Sequence, residues 1–80
     1  SSPEYQSWRQ EVLKRDDYRC MDCGVRSGET GHKVILNVDH LYSWKDYPRL
    51  RYEIMNGQTL CRECHMKKTI FERTGVYSVK

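Results

Sequence analysis

Residues 56–69 read Asn-Gly-Gln-Thr-Leu-Cys-Arg-Glu-Cys-His-Met-Lys-Lys-Thr, and this stretch decides the fold. If its second half is helical, Cys61 and Cys64 lie about one turn apart and share a face. His65 then points roughly 100° further round the helix, with Lys68 one turn beyond it on the same side. One helix can therefore present two thiolates to one metal ion and an imidazole to a second, neighbouring site.

A second Cys-x-x-Cys pair, Cys20 and Cys23, lies far upstream, and Gly24 after it permits the positive φ of a tight knuckle. Two such pairs predict a structural zinc ion bound by four thiolates, Cys20, Cys23, Cys61 and Cys64. The long gap between the pairs indicates an insertion between two knuckles. Disulfides and a redox-active Cys-x-x-Cys pair are alternatives, although the βαβ context of a redox motif is missing. His65 could also replace one cysteine as a zinc ligand.

The composition predicts one small domain, residues 1–80, that needs a metal ion or disulfides to be stable. Only 38% of the residues are hydrophobic and the mean hydropathy is −0.89, so the core is thin and a metal is expected to reinforce it. No run approaches the roughly 18 consecutive apolar residues of a membrane span, and no secretory signal is visible. We therefore expect a cytoplasmic protein with no membrane partner and with reduced cysteines, which favours metal over disulfides.

The first half of the chain predicts a helix followed by a strand. Ser2 can cap a helix over residues 1–15 and Pro3 suits its first turn. Side chains at helical spacing are expected to reach the core: Tyr5, Trp8 and Val12. The β-rich run 33–38 predicts a strand that ends at Asp39 and His40.

The second half predicts a loop and a long helix. Residues 41–47 fit either a second strand or a loop, and residues 56–57, Asn-Gly, are typical of a turn. Thr59 is expected to cap a helix that stops at Gly75, and residues 76–80 fit a short tail or a strand.

The remaining aromatic and histidine side chains have no predicted role in a site. His32 lies in a polar loop and is expected to be solvated. Five aromatic residues are expected to pack in the core or on strands rather than to stack on bases: Tyr42, Trp44, Tyr47, Tyr52 and Phe71.

Three motifs together resemble the HNH endonuclease family over roughly residues 8–69. They are Cys-x-x-Cys-Gly, a strand ending Val-Asp-His, and Asn-Gly-x-x-Leu-Cys-x-x-Cys-His-x-x-Lys-Thr. The resemblance is to the zinc-bearing, four-cysteine subgroup. It implies an α+β domain of the ββα-metal (His-Me finger) fold, in which two antiparallel strands, a loop and a helix clasp a divalent ion. Here an N-terminal helix and the Zn(Cys)₄ site are added.

The resemblance also implies catalytic roles. His40 would be the general base that deprotonates water, Asp39 and His65 would ligate a catalytic Mg²⁺ or Mn²⁺, and Asn56 would brace the loop that orients His40. The chemistry agrees, because a histidine titrates near neutrality and one divalent ion can stabilise phosphate charge. Adjacent strand residues point to opposite faces, so we expect a bend or bulge at Asp39 and His40.

Charge favours DNA as the partner. Residues 1–48 carry a net charge of −1, whereas residues 49–80 carry +4. The residues expected to contact phosphates are Arg49, Arg51, Arg62, Lys67 and Lys68. A solvated helix face is the alternative explanation of this charge. If DNA is the partner, a protein partner or the shape of the DNA would supply the specificity for a DNA site. The chain is expected to act as a monomer or homodimer.

These expectations describe a metal-dependent endonuclease that nicks DNA or cuts both strands, leaving 5′-phosphate and 3′-hydroxyl ends by family resemblance. The alternative is a non-catalytic zinc module that binds nucleic acid or protein. A binding module has no need of the complete set Asp39, His40, Asn56 and His65, and this set favours the enzyme.

Overall fold

The computed structural model describes residues 2–28, 31 and 33–75. In chain order, its elements are helix α1 (Pro3–Arg15), strand β1 (Leu36–His40), two single-turn 3₁₀ helices (Pro48–Leu50 and Ile54–Asn56), strand β2 (Gly57–Cys61) and helix α2 (Arg62–Thr74). The expectations for His32 and for residues 76–80 fall outside the described residues. Among the described residues, none of the helices combines the length and apolar character that a bilayer crossing requires.

The two strands form an antiparallel sheet that is covered by α1. Helix α2 begins directly after β2. The register runs from Leu36 opposite Cys61 to His40 opposite Gly57. Val38 lies in the cluster with α1, and the alternation of a strand therefore turns His40 towards α1 and Asp39 towards α2. The predicted α+β class with a ββα unit is confirmed.

Helix α1 forms for the reasons that the sequence indicates. The Ser2 hydroxyl accepts a hydrogen bond from the Tyr5 amide at 3.1 Å, and Pro3 begins the helix. Trp8 and Val12 are buried with Leu13 and Val38, and Tyr5 packs at the edge of this cluster. The predicted N-terminal helix and its core contacts are confirmed.

Two local predictions were wrong because the strand pairing overrides them. Strand β1 begins at Leu36, three residues later than predicted, because its partner ends at Cys61 where α2 takes over. Thr59 lies inside β2 and does not cap a helix; the residue at the N-cap of α2 is Cys61. Residues 41–47 form no strand, and the ladder partner of β1 comes from further along the chain.

Gly57 has a packing role that the turn prediction missed. It is the first residue of β2, with an ordinary extended backbone at φ −110°. A Cβ there would overlap the Val12 side chain and lie 3.0 Å from Cζ2 of Trp8. Helix α1 therefore packs directly on the backbone of β2, and this close approach requires glycine.

Asp16 ties the end of α1 to β2. It is buried and accepts two hydrogen bonds from Arg15, at 2.8 and 2.9 Å, and one from the Thr59 amide at 3.0 Å. Arg15 also donates to the carbonyls of Ile54 and Gly57. Burial opposes the charge on Asp16, but the hydrogen bonds from Arg15 and Thr59 outweigh it and hold the pKa of Asp16 below its usual value.

Asp16→Asn is expected to lower the free energy of unfolding by about 2–3 kcal/mol at pH 7, because charged hydrogen bonds are lost in a buried place. A carboxyl group with a lowered folded-state pKa stabilises the fold above its unfolded pKa of about 4 and loses that contribution as the pH falls. The stability difference between wild type and variant should therefore shrink below about pH 4. Urea unfolding of both proteins from pH 7 downward tests this, and equal stabilities at pH 7 would contradict it.

Candidate active site and metal centre

Four thiols from three parts of the chain meet in one cluster. Cys20 and Cys23 come from the knuckle after α1, Cys61 ends β2 and Cys64 lies in the first turn of α2. All four Sγ atoms lie within 4.8 Å of one another, and those of Cys23 and Cys61 are 3.8 Å apart. All four cysteines are free thiols. This arrangement suits a soft cation bound by four thiolates.

Backbone amides shape the knuckle around Cys20. The amides of Asp22 and Cys23 each lie 3.4 Å from the Cys20 sulfur, and Gly24 takes the predicted positive φ of 84°. The Met21 amide donates to the Thr59 carbonyl at 2.9 Å, which attaches the knuckle to β2. The knuckle therefore already has a fixed shape in which its sulfur atoms can bind a metal ion.

The thiols differ in how readily they ionise. Burial opposes the charge of Cys20, yet hydrogen bonds from the backbone of Cys23, Cys61 and Asp22 outweigh it and lower the pKa to about 6. Burial and then hydrogen bonding with the neighbouring cysteine thiols raise the pKa of Cys64. Burial also raises the pKa of Cys61. A bound cation would remove this conflict, because it stabilises all four thiolates together.

Asp39 and His65 lie together on the α2 side of the sheet. The Asp39 Oδ1 atom is 3.6 Å from Nε2 of His65, and the other carboxylate oxygen forms an ion pair with Lys68. His65 belongs to this pair and not to the thiol cluster found among the described residues. One carboxylate and one imidazole supply an oxygen and a nitrogen ligand, which leaves most positions of a hard divalent ion open.

His40 is held on the opposite face, against α1. Its ring stacks on Trp8 with centroids 4.1 Å apart and planes 13° from parallel, and the Trp44 ring stands edge-on at 5.5 Å. Its Nε2 lies 2.9 Å from the Arg51 carbonyl. Because a carbonyl only accepts, Nε2 carries the proton in the neutral ring and Nδ1 keeps the free lone pair.

Asn56 closes the loop that contains Arg51. It is 3% exposed; its Oδ1 accepts from the Tyr42 amide at 2.7 Å, and its Nδ2 donates to the carbonyls of Tyr42 and Leu50 at 3.2 and 2.9 Å. The Leu41 amide donates to the Asn56 carbonyl at 2.9 Å. Asn56, the last residue of the loop, is thus bonded to the first two loop residues and to Leu50 in the middle.

Trp8 and the Arg51 carbonyl contact His40 in the candidate site, and the sequence prediction missed both contacts. The Trp8 indole donates to the Glu53 carbonyl at 2.8 Å, so Trp8 supports both the loop and the His40 ring. The helical spacing of Trp8 indicates a core residue and does not show that its ring also supports His40. No sequence signal marks the Arg51 carbonyl, since every residue has one.

The predicted bend at Asp39 and His40 was wrong. Both residues remain in the regular ladder, opposite Gln58 and Gly57. The two side chains serve opposite faces of the sheet, and a regular strand provides that without a bulge.

The predicted phosphate contacts fall into two groups. Arg49, Arg62 and Lys67 are exposed. Arg51 is half-buried, with Nε donating to the Trp44 carbonyl at 2.6 Å and the guanidinium 4.4 Å above the Trp44 ring. Lys68 is paired with Asp39.

The expectation that the other aromatic residues are packed away was wrong. Their exposed fractions range from 37% to 56% for Tyr42, Trp44, Tyr47, Tyr52 and Phe71. Four of them lie in the loop between β1 and β2, where they contact one another, as in the Tyr42–Tyr47 pair at 5.0 Å. A loop with only 3₁₀ turns offers too little cover to bury them.

Three comparisons with known proteins agree. A family model described as HNH endonuclease matches residues 20–70. A "Probable HNH endonuclease" of Lactococcus phage SK1 is 33% identical over 69 residues, which cover 82% of this chain and 69% of the relative. The crystal structure of the HNH endonuclease of the deep-sea thermophilic bacteriophage GVE2, with manganese ion, matches with a TM-score of 0.73 and 28% identity over 90% of this chain and 75% of that one.

Proposed function

This chain belongs to the HNH endonuclease family, and we propose on that basis that it hydrolyses DNA phosphodiester bonds with His40 as general base and one divalent ion at Asp39 and His65. The observation that supports this assignment most is the end of β1. There, one residue presents an oriented imidazole, and the residue before it presents a carboxylate that faces a second imidazole.

His40 is built to take a proton from water. Its Nε2 is fixed by the Arg51 carbonyl, so the basic Nδ1 is the atom that accepts the proton. The imidazolium that forms is stabilised by the face of Trp8 at 4.1 Å. Asn56 acts as a positioning residue, because it holds the loop whose carbonyl fixes the ring.

Asp39 and His65 fit a hard or borderline divalent ion. Their oxygen and nitrogen ligands suit Mg²⁺ or Mn²⁺, and the related GVE2 protein was crystallised with manganese. When bound, such an ion supplies Lewis-acid stabilisation of phosphate charge. The exposed cations Arg49, Arg62 and Lys67 would bind flanking phosphates.

The thiol cluster fits structural zinc. Zinc–thiolate bonds of about 2.3 Å in a tetrahedron place the sulfur atoms about 3.8 Å apart. The Cys23 and Cys61 sulfur atoms are 3.8 Å apart, and all six separations are within 4.8 Å. Small shifts of the remaining side chains would complete the tetrahedron.

Supercoiled plasmid tests the proposed function. Zinc-loaded protein should convert it to open circle or linear DNA with Mn²⁺ or Mg²⁺ added, and should leave it intact when no divalent ion is added. The metal-free arm omits the ion and contains no EDTA, because EDTA would also strip the thiolate site. Asp39→Asn serves as the matched variant and should be strongly impaired. A plasmid that shifts on a gel but stays supercoiled with every ion would favour the binding module instead.

A further inference from the structure

Lys68 forms an ion pair with Asp39, the carboxylate that the catalytic ion would use as a ligand. Its ammonium pairs with Oδ2 of Asp39, while Oδ1 of Asp39 faces His65 at 3.6 Å. The Lys68 and Asp39 side chains are only 25% and 21% exposed, so the pair is partly shielded from water. A divalent ion at Asp39 and His65 would meet this positive charge at close range.

A second carboxylate lies within reach of the same ammonium. Glu72 is one helical turn further along α2, 3.8 Å from Lys68 Nζ and 60% exposed. The flexible four-carbon stem of lysine lets the ammonium swing outward towards Glu72 or a phosphate while the helix stays in place. Lys68 can therefore pair with Asp39 at the metal site, or turn outward to Glu72, where solvent and a DNA phosphate can reach it.

We propose that Lys68 is a positioning residue that couples DNA binding to metal binding. Without DNA it neutralises Asp39 and weakens binding of the divalent ion. A DNA phosphate draws the ammonium outward, frees Asp39 and allows the ion to bind tightly. The coupling is reciprocal, so the ion also strengthens DNA binding. The half that concerns DNA rests on the proposed function, whereas the competition between Lys68 and the ion does not.

The first test uses the metal alone. Mn²⁺ is titrated into the zinc-loaded chain without DNA, and the electron paramagnetic resonance signal of free Mn²⁺ reports binding. Lys68→Met should bind Mn²⁺ roughly tenfold more tightly than wild type, the size of a typical coupling between sites. Glu72→Gln should weaken binding about two- to threefold, because it removes the outer partner and leaves the ammonium on Asp39.

Matched variants separate this effect from a change in net charge. Lys67→Met removes the same charge from the exposed neighbouring position and should leave Mn²⁺ affinity within about twofold of wild type. Asp39→Asn should abolish the binding and so assign it to this site. Lys68→Gln repeats the test with a polar side chain, and circular dichroism checks the fold of each variant.

The second test measures the reciprocal effect on DNA. In a His40→Ala background cleavage is slow enough for the duplex to stay largely intact during the measurement, and fluorescence anisotropy gives its affinity with and without Mn²⁺. Mn²⁺ should strengthen DNA binding roughly tenfold with Lys68 present and less than about threefold in Lys68→Met. The inference is overturned if Lys68→Met binds Mn²⁺ no more tightly than Lys67→Met, or if wild type binds none. A wild type that binds Mn²⁺ as expected but never cleaves DNA would refute the proposed function and leave the competition by Lys68 standing.

Discussion

His40→Ala is expected to slow DNA cleavage by roughly 100- to 10,000-fold, the usual contribution of a positioned general base. The ring is held between the Arg51 carbonyl and the Trp8 face. A water molecule that fills the space left by the ring is a much weaker base than Nδ1. Binding of DNA should change little, because the exposed cations Arg49, Arg62 and Lys67 are untouched. Single-turnover cleavage of a labelled duplex with Mn²⁺ measures the loss.

Chemical rescue makes this test specific for a base. Alanine leaves a gap beside Trp8 where free imidazole could enter, and added imidazole should restore part of the activity. Unchanged circular dichroism and DNA affinity would exclude unfolding as the cause of the loss. Cleavage within a few-fold of wild type would show that another group takes the proton from water.

Removal of the metal from the thiol cluster is expected to unfold the protein. Structural zinc contributes roughly 10–16 kcal/mol of apparent binding energy in small domains, as much as the entire stability of a typical one. The core of this chain explains the dependence. Among the residues that the structure describes, one buried cluster consists of Leu60 and three of the cysteines themselves, Cys20, Cys61 and Cys64. A second small cluster is formed by Trp8, Val12, Leu13 and Val38.

Far-ultraviolet circular dichroism before and after chelation, and again after zinc is restored, measures this expectation. Cys61→Ser should fail to fold stably even with zinc present, whereas the control Asp39→Asn, which keeps all four thiols and loses only the ion pair with Lys68, should still fold. Since the ligands must be thiolates, acid should release the metal and unfold the chain. A spectrum that survives complete removal of zinc would contradict a structural role.

The candidate active site illustrates where reasoning from the sequence stops. The prediction that His65 lies apart from the thiols holds, because Cys64 and His65 are adjacent in α2 and point about 100° apart, although Cys61 ends β2 and does not lie in the helix as expected. The same logic places Asp39 and His40 on opposite faces, but it did not show that a regular strand could hold both. The register with β2 decided that point.

What the sequence determined by itself are features whose cause lies within a few residues. Ser2 and Pro3 start α1, Gly24 permits the knuckle, and the two Cys-x-x-Cys pairs predict a metal centre. Each depends on the residue type at that position acting on its own neighbourhood, Gly24 through its lack of a side chain, so its signal can be read along the chain.

Only the tertiary structure decided the contacts between distant segments. It placed Thr59 in a strand, required glycine at position 57 beneath Trp8, put the Arg51 carbonyl on His40, and paired Lys68 with Asp39. The physical reason is that these contacts use backbone groups common to all residues, the space left by a helix packed elsewhere, or side chains from distant segments, as in the Lys68–Asp39 pair. None of these contacts leaves a local mark in the sequence, so they appear only when the sheet and its two helices come together.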